Sequence, residues 1–180
     1  MKSKIRKKII KIRRRRNNKN FKFSYLKILK EIKKGTLKKK IVGGYYPVNF
    51  EIDVLEFLQK IEMKGLKLSL PVIKKNNEMD FYNWSNKNLL KLNKYGIPEP
   101  EEIKKVFPDI IFVPIVAFDK RLYRVGYGGG YYDRYIHKLS NKKKLFKIGI
   151  AHSCQKINKV PINKYDKKLD IIITEKHILR

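Results

Sequence analysis

The sequence contains one cysteine, Cys154, and no uninterrupted apolar run that approaches the ~20 residues of a membrane-spanning helix. A single cysteine cannot form an internal disulfide, and no cluster of cysteine and histidine indicates a zinc site. The N-terminus is charged through Arg16 and lacks the apolar stretch of a secretory signal. These absences predict a cytoplasmic protein that does not associate with a membrane.

Acidic residues are also scarce, with 16 Asp and Glu against 45 Lys and Arg, which gives a net charge of +29. Residues 1–40 hold 19 of the basic residues and one acid, Glu31. Such an excess favours a nucleic-acid partner. Alanine, however, occurs only at Ala117 and Ala151, while lysine, isoleucine, asparagine and tyrosine abound, as an AT-rich coding sequence would produce. Solvated lysines also keep a small domain soluble. We therefore expect no specific nucleic-acid partner, and binding through a basic first helix remains the competing hypothesis.

The hydrophobic pattern predicts a single α/β domain over residues 1–180. Ile5, Ile9 and Ile12 mark one stripe of a basic helix over residues 2–16, and Ser24 and Gly35 bound a second helix. Further helices are predicted over residues 51–64 and 131–139, and strands over 41–46, 66–72, 79–84, 109–113, 146–151 and 169–174. Strands that alternate with helices indicate a mixed sheet with helices on its faces.

The run Arg124–Arg134, RVGYGGGYYDR, carries the most chemical information. Its glycines allow a sharp turn that directs several N–H groups into one concavity, and a helix begins directly afterwards, so the run favours a bound phosphate. Arg124 and Arg134 can add contacts to phosphate oxygens, and Asp133 can face a magnesium ion. The alternative is a surface turn in which Asp133 only complements the helix start. The run is neither a Walker A motif nor a dinucleotide fingerprint.

Together with Phe118-Asp119-Lys120, this run resembles the nucleotide loop of the 5-formyltetrahydrofolate cyclo-ligase family. The resemblance covers nearly the whole chain. Its other elements, in order, are Lys2 with Arg6; Tyr45-Tyr46-Pro47 before Glu51-Ile52-Asp53; Ile97-Pro98-Glu99-Pro100; and Gln155, Val160-Pro161 and Asp166. Five ordered matches make coincidence a poor explanation.

The resemblance implies a three-layer, Rossmann-like α/β fold and a ligase of one-carbon metabolism that uses ATP and magnesium to cyclise 5-formyltetrahydrofolate. The helix over residues 2–16 would contribute to the ATP site, and the protein would be a monomer. The implied ATP-binding residues are Lys2, Arg6, Arg124, Gly126, Tyr127, Gly128, Gly129, Gly130, Tyr131, Tyr132, Asp133 and Arg134, with Arg124 and Arg134 as the catalytic pair. The implied folate contacts are Tyr46, Glu51 and Tyr131, and the implied metal ligands are Asp133 and Asp166.

The chain departs from some relatives at Tyr127 and Gly129, where those relatives carry arginine and lysine. We therefore expect the phosphate charge to fall on Arg124, Arg134, Lys2 and Arg6. We also expect Arg13–Arg16 to wrap around the end of the first helix without a role in catalysis, and Gly129 to need a positive φ.

Plainer interpretations exist for several of these residues. Glu51 at the start of a helix can be there for dipole reasons alone, and Lys2 and Arg6 can be solvated. The aromatic run Met79–Trp84 is interpreted mainly as core. A relative that binds folate without turnover fits the same sequence.

Overall fold

The computed structural model describes residues 1–16, 28 and 40–180. The first helix is α1 (Lys2–Arg16), as the isoleucine stripe predicts. The second predicted helix lies outside the described residues except for Ile28, which is helical and buried. Two further α-helices follow, α2 (Leu55–Glu62) and α3 (Tyr131–Ser140).

The strands of the described residues are more numerous than the sequence pattern predicts. They are β1 (Ile41–Gly43), β2 (Lys67–Ile73), β3 (Met79–Trp84), β4 (Leu90–Leu92), β5 (Pro98–Pro100), β6 (Lys105–Val106), β7 (Ile110–Pro114), β8 (Ala117–Phe118), β9 (Arg124–Val125), β10 (Phe146–Ile150), β11 (Ile171–Ile173) and β12 (Ile178–Leu179). Strands β2, β3 and β7 have the predicted lengths, whereas β1, β10 and β11 are shorter. Short 3₁₀ turns cover Lys75–Asn77 and Ser153–Gln155.

Eight of the strands form one mixed sheet in the order β12-β11-β10-β7-β1-β2-β3-β6. The five central strands, from β11 to β2, run parallel, and β12, β3 and β6 are antiparallel to their neighbours. Two small antiparallel pairs, β4 with β5 and β8 with β9, stand apart from it. Parallel strands buried on both faces read as continuous apolar runs, as Ile110–Val113 does.

Side chains of the central strands alternate between two cores because successive residues of a strand point to opposite faces. Ile110 and Phe112 of β7 pack in the core that contains α2, whereas Ile111 and Val113 pack in the core that contains α3. Helices therefore cover both faces, which confirms the predicted three-layer α/β arrangement.

The first helix packs beside this sandwich rather than on it. Ile9 is buried in a third, smaller apolar cluster that includes Val116 and Ala117 of the β8 region and Val125 of β9. Because β9 leads directly into the glycine-rich run, this packing holds α1 next to that run.

One sequence interpretation of the helices is wrong. Glu51 does not open a helix, because α2 begins only at Leu55 and the backbone from Asn49 to Val54 is irregular. Residues Asn49 and Phe50 adopt positive φ angles of 49° and 62°, which turn the chain before the helix. A dipole explanation for Glu51 therefore does not apply.

Candidate active site

A cavity of about 1440 Å³ opens at the carboxyl ends of β1 and β7. The chain leaves β1 towards α2 and β2 on one side and leaves β7 towards α3 and β10 on the other, so this is the point where the strand order reverses. Open α/β sheets bind their ligands at such a point. The volume exceeds the ~300–1,000 Å³ that is usual for one small-molecule ligand, so it suits two ligands side by side.

The cavity brings together nearly all of the residues singled out in the sequence. Its walls include the following sequence-predicted residues: Lys2, Arg6, Tyr46, Glu51, Arg124, Gly126, Tyr127, Gly128, Gly129, Gly130, Tyr131, Tyr132, Asp133, Arg134 and Asp166. Tyr95, Ile97 and Pro98 of the β4–β5 hairpin form another wall. Residues from the first and last quarters of the chain thus meet at one site.

The glycine-rich run forms a tight turn that ends at the N-terminus of α3. Gly128 and Gly130 have φ angles of 113° and 67°, a region that side chains other than glycine rarely adopt. Gly130 is the residue that precedes the helix. Gly129 does not have a positive φ, so that expectation is wrong; a Cβ there would instead meet the ring of Tyr131. The turn and the helix N-terminus together offer backbone N–H groups to an anion.

Two cations of α1, Lys2 and Arg6, line the cavity, and Arg6 contacts this turn directly. The Arg6 Nε donates to the carbonyl of Gly126 at 2.7 Å, and the Arg6 guanidinium lies against Gly128, where a Cβ would be 3.4 Å from Cζ. Lys2 Nζ lies 2.6 Å and 2.8 Å from the two carboxylate oxygens of Asp166. The predicted pair Lys2 and Arg6 therefore borders the glycine-rich turn.

Asp133 and Arg124 form a partly buried ion pair behind the turn. Arg124 Nη2 lies 3.0 Å from Asp133 Oδ1, and the same oxygen accepts the backbone N–H of Lys167 at 2.9 Å. Arg124 also donates to the carbonyl of Lys167 at 2.8 Å. The structure thus shows Arg124 orienting Asp133 and the loop before β11.

The carboxylates at this site can hold a magnesium ion only if a bound substrate supplies further oxygen ligands. In the described part of the chain, no three His, Cys, Asp or Glu side chains group as a metal site. Magnesium, however, is commonly held by one or two carboxylates together with substrate phosphates. The hydrogen bonds that described residues donate to Asp133 both end on Oδ1, so Oδ2 suits such a shared ion, whereas Asp166 is engaged by Lys2.

Arg134 and Tyr131 lie at the mouth of the cavity. Arg134 folds back along the run and donates to the carbonyls of Asn77, with Nε at 3.0 Å, and of Gly129. The hydroxyls of Tyr131 and Tyr95 lie 2.9 Å apart, which connects the start of α3 to the β4–β5 hairpin across the opening. In this conformation the Arg134 guanidinium stabilises the loop through these hydrogen bonds.

Glu51 lines the same cavity as Tyr46 and the glycine-rich turn. Its Oε2 accepts the backbone N–H of Val48 at 2.9 Å, whereas Oε1 is buried and has no hydrogen-bond partner in the described chain. Burial raises the pKa of Glu51 to about 7, although the Val48 N–H, Arg13 and the Tyr127 hydroxyl each lower it. A buried acceptor without a partner is suited to a donor supplied by a ligand.

Arg13 differs from its neighbours Arg14 and Arg15 in a way that the sequence analysis did not predict, because it is buried behind the site whereas they are exposed. Only 1% of its surface is exposed, and its guanidinium donates to the carbonyl of Ile115 and to the hydroxyl of Tyr127. Its position was readable from the sequence. Lys2, Arg6, Ile9 and Arg13 are spaced four, three and four residues apart, so they share one helical face.

Asp119, part of the motif that carried the family resemblance, has a structural role. It is fully buried and accepts hydrogen bonds from Arg121 and from the backbone N–H of Val160. Burial raises its pKa, but these hydrogen bonds outweigh burial and hold the pKa below its usual value. Asp119 thereby joins the β8–β9 turn to the segment before β11.

None of the helices described here is long and apolar enough to cross a membrane.

Comparison with known proteins gives a consistent result over the chain. The model of the 5-formyltetrahydrofolate cyclo-ligase family matches residues 1–175. A 5-formyltetrahydrofolate cyclo-ligase of Haemophilus influenzae is 32% identical over 142 residues, which cover 74% of this chain and 75% of that protein. The enzyme of that name from Escherichia coli K12 is 30% identical over 140 residues, or 74% and 76% of the two chains.

Solved structures agree with these matches. The NMR structure of Aquifex aeolicus 5,10-methenyltetrahydrofolate synthetase superposes with a TM-score of 0.75 at 33% identity, covering 99% of this chain and 92% of that one. The Mycoplasma pneumoniae 5,10-methenyltetrahydrofolate synthetase superposes with a TM-score of 0.69 at 26% identity, covering 97% and 98%.

Proposed function

The chain belongs to the 5-formyltetrahydrofolate cyclo-ligase family, and we propose that it converts 5-formyltetrahydrofolate and ATP into 5,10-methenyltetrahydrofolate, ADP and phosphate. The observation that carries this proposal is one cavity whose lining combines two chemically different groups of residues. The glycine-rich turn with Lys2 and Arg6 suits phosphates, and we infer that it forms the phosphate end. Tyr46 and Glu51 suit a flat ligand with hydrogen-bond donors, and we infer that they form the folate end.

At the phosphate end, the N–H groups of Gly128–Gly130 and the N-terminus of α3 would hold the nucleotide. Arg6 and Lys2 add positive charge from α1, and the geometry of Arg6 against Gly128 supports this placement. Asp133 would contribute one carboxylate ligand to magnesium shared with the phosphates, in an orientation fixed by Arg124. Bound magnesium would neutralise the charge that develops on the phosphate oxygens.

At the folate end, Oε1 of Glu51, which has no hydrogen-bond partner among the described residues, would accept an N–H donor of the pterin. Tyr46 and Tyr131 line the same cavity and can contact the ring system. The hydrogen bond between Tyr95 and Tyr131 crosses the opening, so the hairpin that carries Tyr95 would close over bound folate.

The reaction needs ATP because the oxygen of a formamide is a poor leaving group. Transfer of the γ-phosphoryl group to the formyl oxygen forms an iminium phosphate and releases ADP. The neighbouring secondary amine then attacks the formyl carbon, its proton is lost, and phosphate departs as the ring closes. The protein positions the two substrates and neutralises charge, which are the dominant contributions to phosphoryl transfer. No side chain has to form a covalent intermediate.

The test is to mix purified protein with 5-formyltetrahydrofolate, ATP and magnesium and to record near-ultraviolet absorbance. We expect the methenyl product to appear only when ATP and magnesium are both present. If the folded protein forms no product but still binds folate in a calorimetric titration, the protein is a relative that binds folate without turnover. Sequence-selective RNA binding at physiological salt without turnover would support the nucleic-acid hypothesis instead.

A further inference from the structure

Arg13 is buried in a way that the proposed reaction does not explain. Arginine is rarely fully buried unless it is paired, and here 1% of the residue is exposed. Arg14 and Arg15, its neighbours in the same basic run, are exposed. A specific set of contacts must therefore compensate the lost hydration of this one guanidinium.

Its contacts lead to the glycine-rich turn. Nη1 donates to the carbonyl of Ile115, directly after β7, at 3.1 Å, and Nη2 donates to the hydroxyl of Tyr127. The guanidinium carbon lies 5.9 Å from the centre of the Tyr127 ring. The backbone of Tyr127 belongs to the predicted phosphate site, while its side chain is held by α1.

Tyr127 and Glu51 line the same cavity. The Tyr127 hydroxyl is near enough to lower the pKa of the Glu51 carboxyl, although Glu51 Oε1 has no hydrogen-bond partner among the described residues. Arg13 lowers the same pKa through its charge. Arg13, Tyr127 and Glu51 thus form a chain from the first helix, through the glycine-rich turn, to the folate end of the cavity.

We propose that Arg13 is a positioning residue for folate: through the Tyr127 hydroxyl it fixes the Glu51 carboxyl in the orientation that receives the pterin. This inference rests on the proposed function, since Glu51 is the folate contact there. It makes the folate end depend on docking of α1, the helix that also carries Lys2 and Arg6 to the cavity.

The remaining groups around Glu51 do not replace Arg13. They are the buried phenols of Tyr45 and Tyr132, whose pKa values burial raises, and Asp53, which follows two residues later. The phenols carry no charge at neutral pH, and a second carboxylate cannot offset the charge of the first. Removal of Arg13 therefore leaves Glu51 without the cation that lowers its pKa.

The experiment is an NMR titration of ¹³C-labelled glutamate in the wild type and in the variants Arg13→Gln, Tyr127→Phe and Arg14→Gln. The Glu51 signal is assigned by its loss in Glu51→Gln. We expect its pKa to rise by roughly half a unit to one unit in the first two variants, because each removes a group that lowers it, and to stay unchanged in Arg14→Gln. An unchanged pKa in folded Tyr127→Phe would overturn the proposal even if Arg13→Gln failed to fold.

Kinetics provide the second measurement. We expect Arg13→Gln and Tyr127→Phe each to raise the KM for folate roughly fivefold, and the double variant to be no worse than the worse single variant, because both act through one carboxyl. The KM for ATP should change by less than about twofold. Additive losses, or a rise in the KM for ATP alone, would overturn the proposal. Because the titration needs no turnover, an inactive wild type with the expected pKa shifts would overturn the proposed reaction and leave the connection from Arg13 to Glu51 standing.

Discussion

The Lys2 ammonium lies 2.6 Å from a carboxylate oxygen of Asp166, although 164 positions separate the two residues. Both side chains are mostly buried, with 24% and 15% of their surfaces exposed. The contact joins the start of α1 to the loop before β11, at the edge of the predicted ATP site. It gives Asp166 a partner other than a metal ion and makes Lys2 a cation held in place before any nucleotide arrives.

The first prediction concerns these α1 cations. Replacing both Lys2 and Arg6 by alanine should raise the KM for ATP at least tenfold, since each lost charged contact costs on the order of 1.5–3 kcal/mol. The matched control is Lys4→Ala with Lys8→Ala, which removes two exposed lysines at the same four-residue spacing on the same helix. Steady-state ATP titrations compare the variants. If the two double variants had equal KM values for ATP, the nucleotide would not bind next to α1.

The second prediction concerns the conformation of the glycine-rich turn. Gly128→Ala should raise the KM for ATP strongly, because φ is 113° there and the added methyl faces the Arg6 guanidinium. Gly65→Ala is the control: φ is 84°, the added methyl meets nothing within 4 Å, and the residue lies outside the cavity. Both variants should lose about 1 kcal/mol of stability. The turn would not be the phosphate site if both kept the wild-type KM.

The third prediction concerns magnesium. Asp133→Asn should increase the magnesium concentration needed for half-maximal activity, because a neutral amide is a poorer ligand for a hard cation. Asp109→Asn is the control, since Asp109 also accepts a backbone N–H, from Ile41, and pairs with a cation, Lys143, but lies outside the cavity. Activity is measured as a function of magnesium concentration at saturating ATP for both variants. If Asp133→Asn lowers only stability, Asp133 holds Arg124 and does not bind the metal.

The fourth prediction concerns the pH dependence of stability at Glu51. Its pKa of about 7 in the folded protein lies above the 4.5 of an ordinary glutamate. Between these values the folded state binds more protons than the unfolded state, so stability falls as pH rises through this range. The free energy of unfolding of the wild type should drop relative to Glu51→Gln by on the order of 3 kcal/mol over this range. Urea unfolding at several pH values measures the difference in free energy of unfolding between the wild type and Glu51→Gln. If this difference stays constant from pH 4 to pH 8, Glu51 titrates like an ordinary glutamate.

The sequence predicted the features that local patterns determine. The stripe of Ile5, Ile9 and Ile12 is a helical period, and the run Ile110–Val113 is an apolar strand; both elements are confirmed. The helix after the glycine-rich run is confirmed as well, because its start follows a turn that only glycine accommodates easily. The three-layer fold follows from the alternation of these elements.

The remaining features depend on tertiary contacts that a local sequence pattern does not predict. Strands β8 and β9 have two residues each, too few to show a period, and they exist because α1 packs on them. The spacing of Arg13 from Ile9 places it on the helical face of Lys2 and Arg6, but its burial depends on the docking of that face against the rest of the fold. The Arg134 guanidinium binds the backbone carbonyl of Asn77, a contact between residues 57 positions apart that no local pattern predicts.

Phosphorylation of the formyl oxygen by ATP can be tested by tracing that oxygen atom through the reaction. The purified protein is given ATP, magnesium and 5-formyltetrahydrofolate labelled with ¹⁸O in that group, and both the methenyl product and the released phosphate are measured. Activation of the formyl oxygen by phosphorylation predicts one methenyl group formed per ATP consumed, with the label recovered in phosphate. Product formed without ATP, or phosphate free of label, would contradict the account.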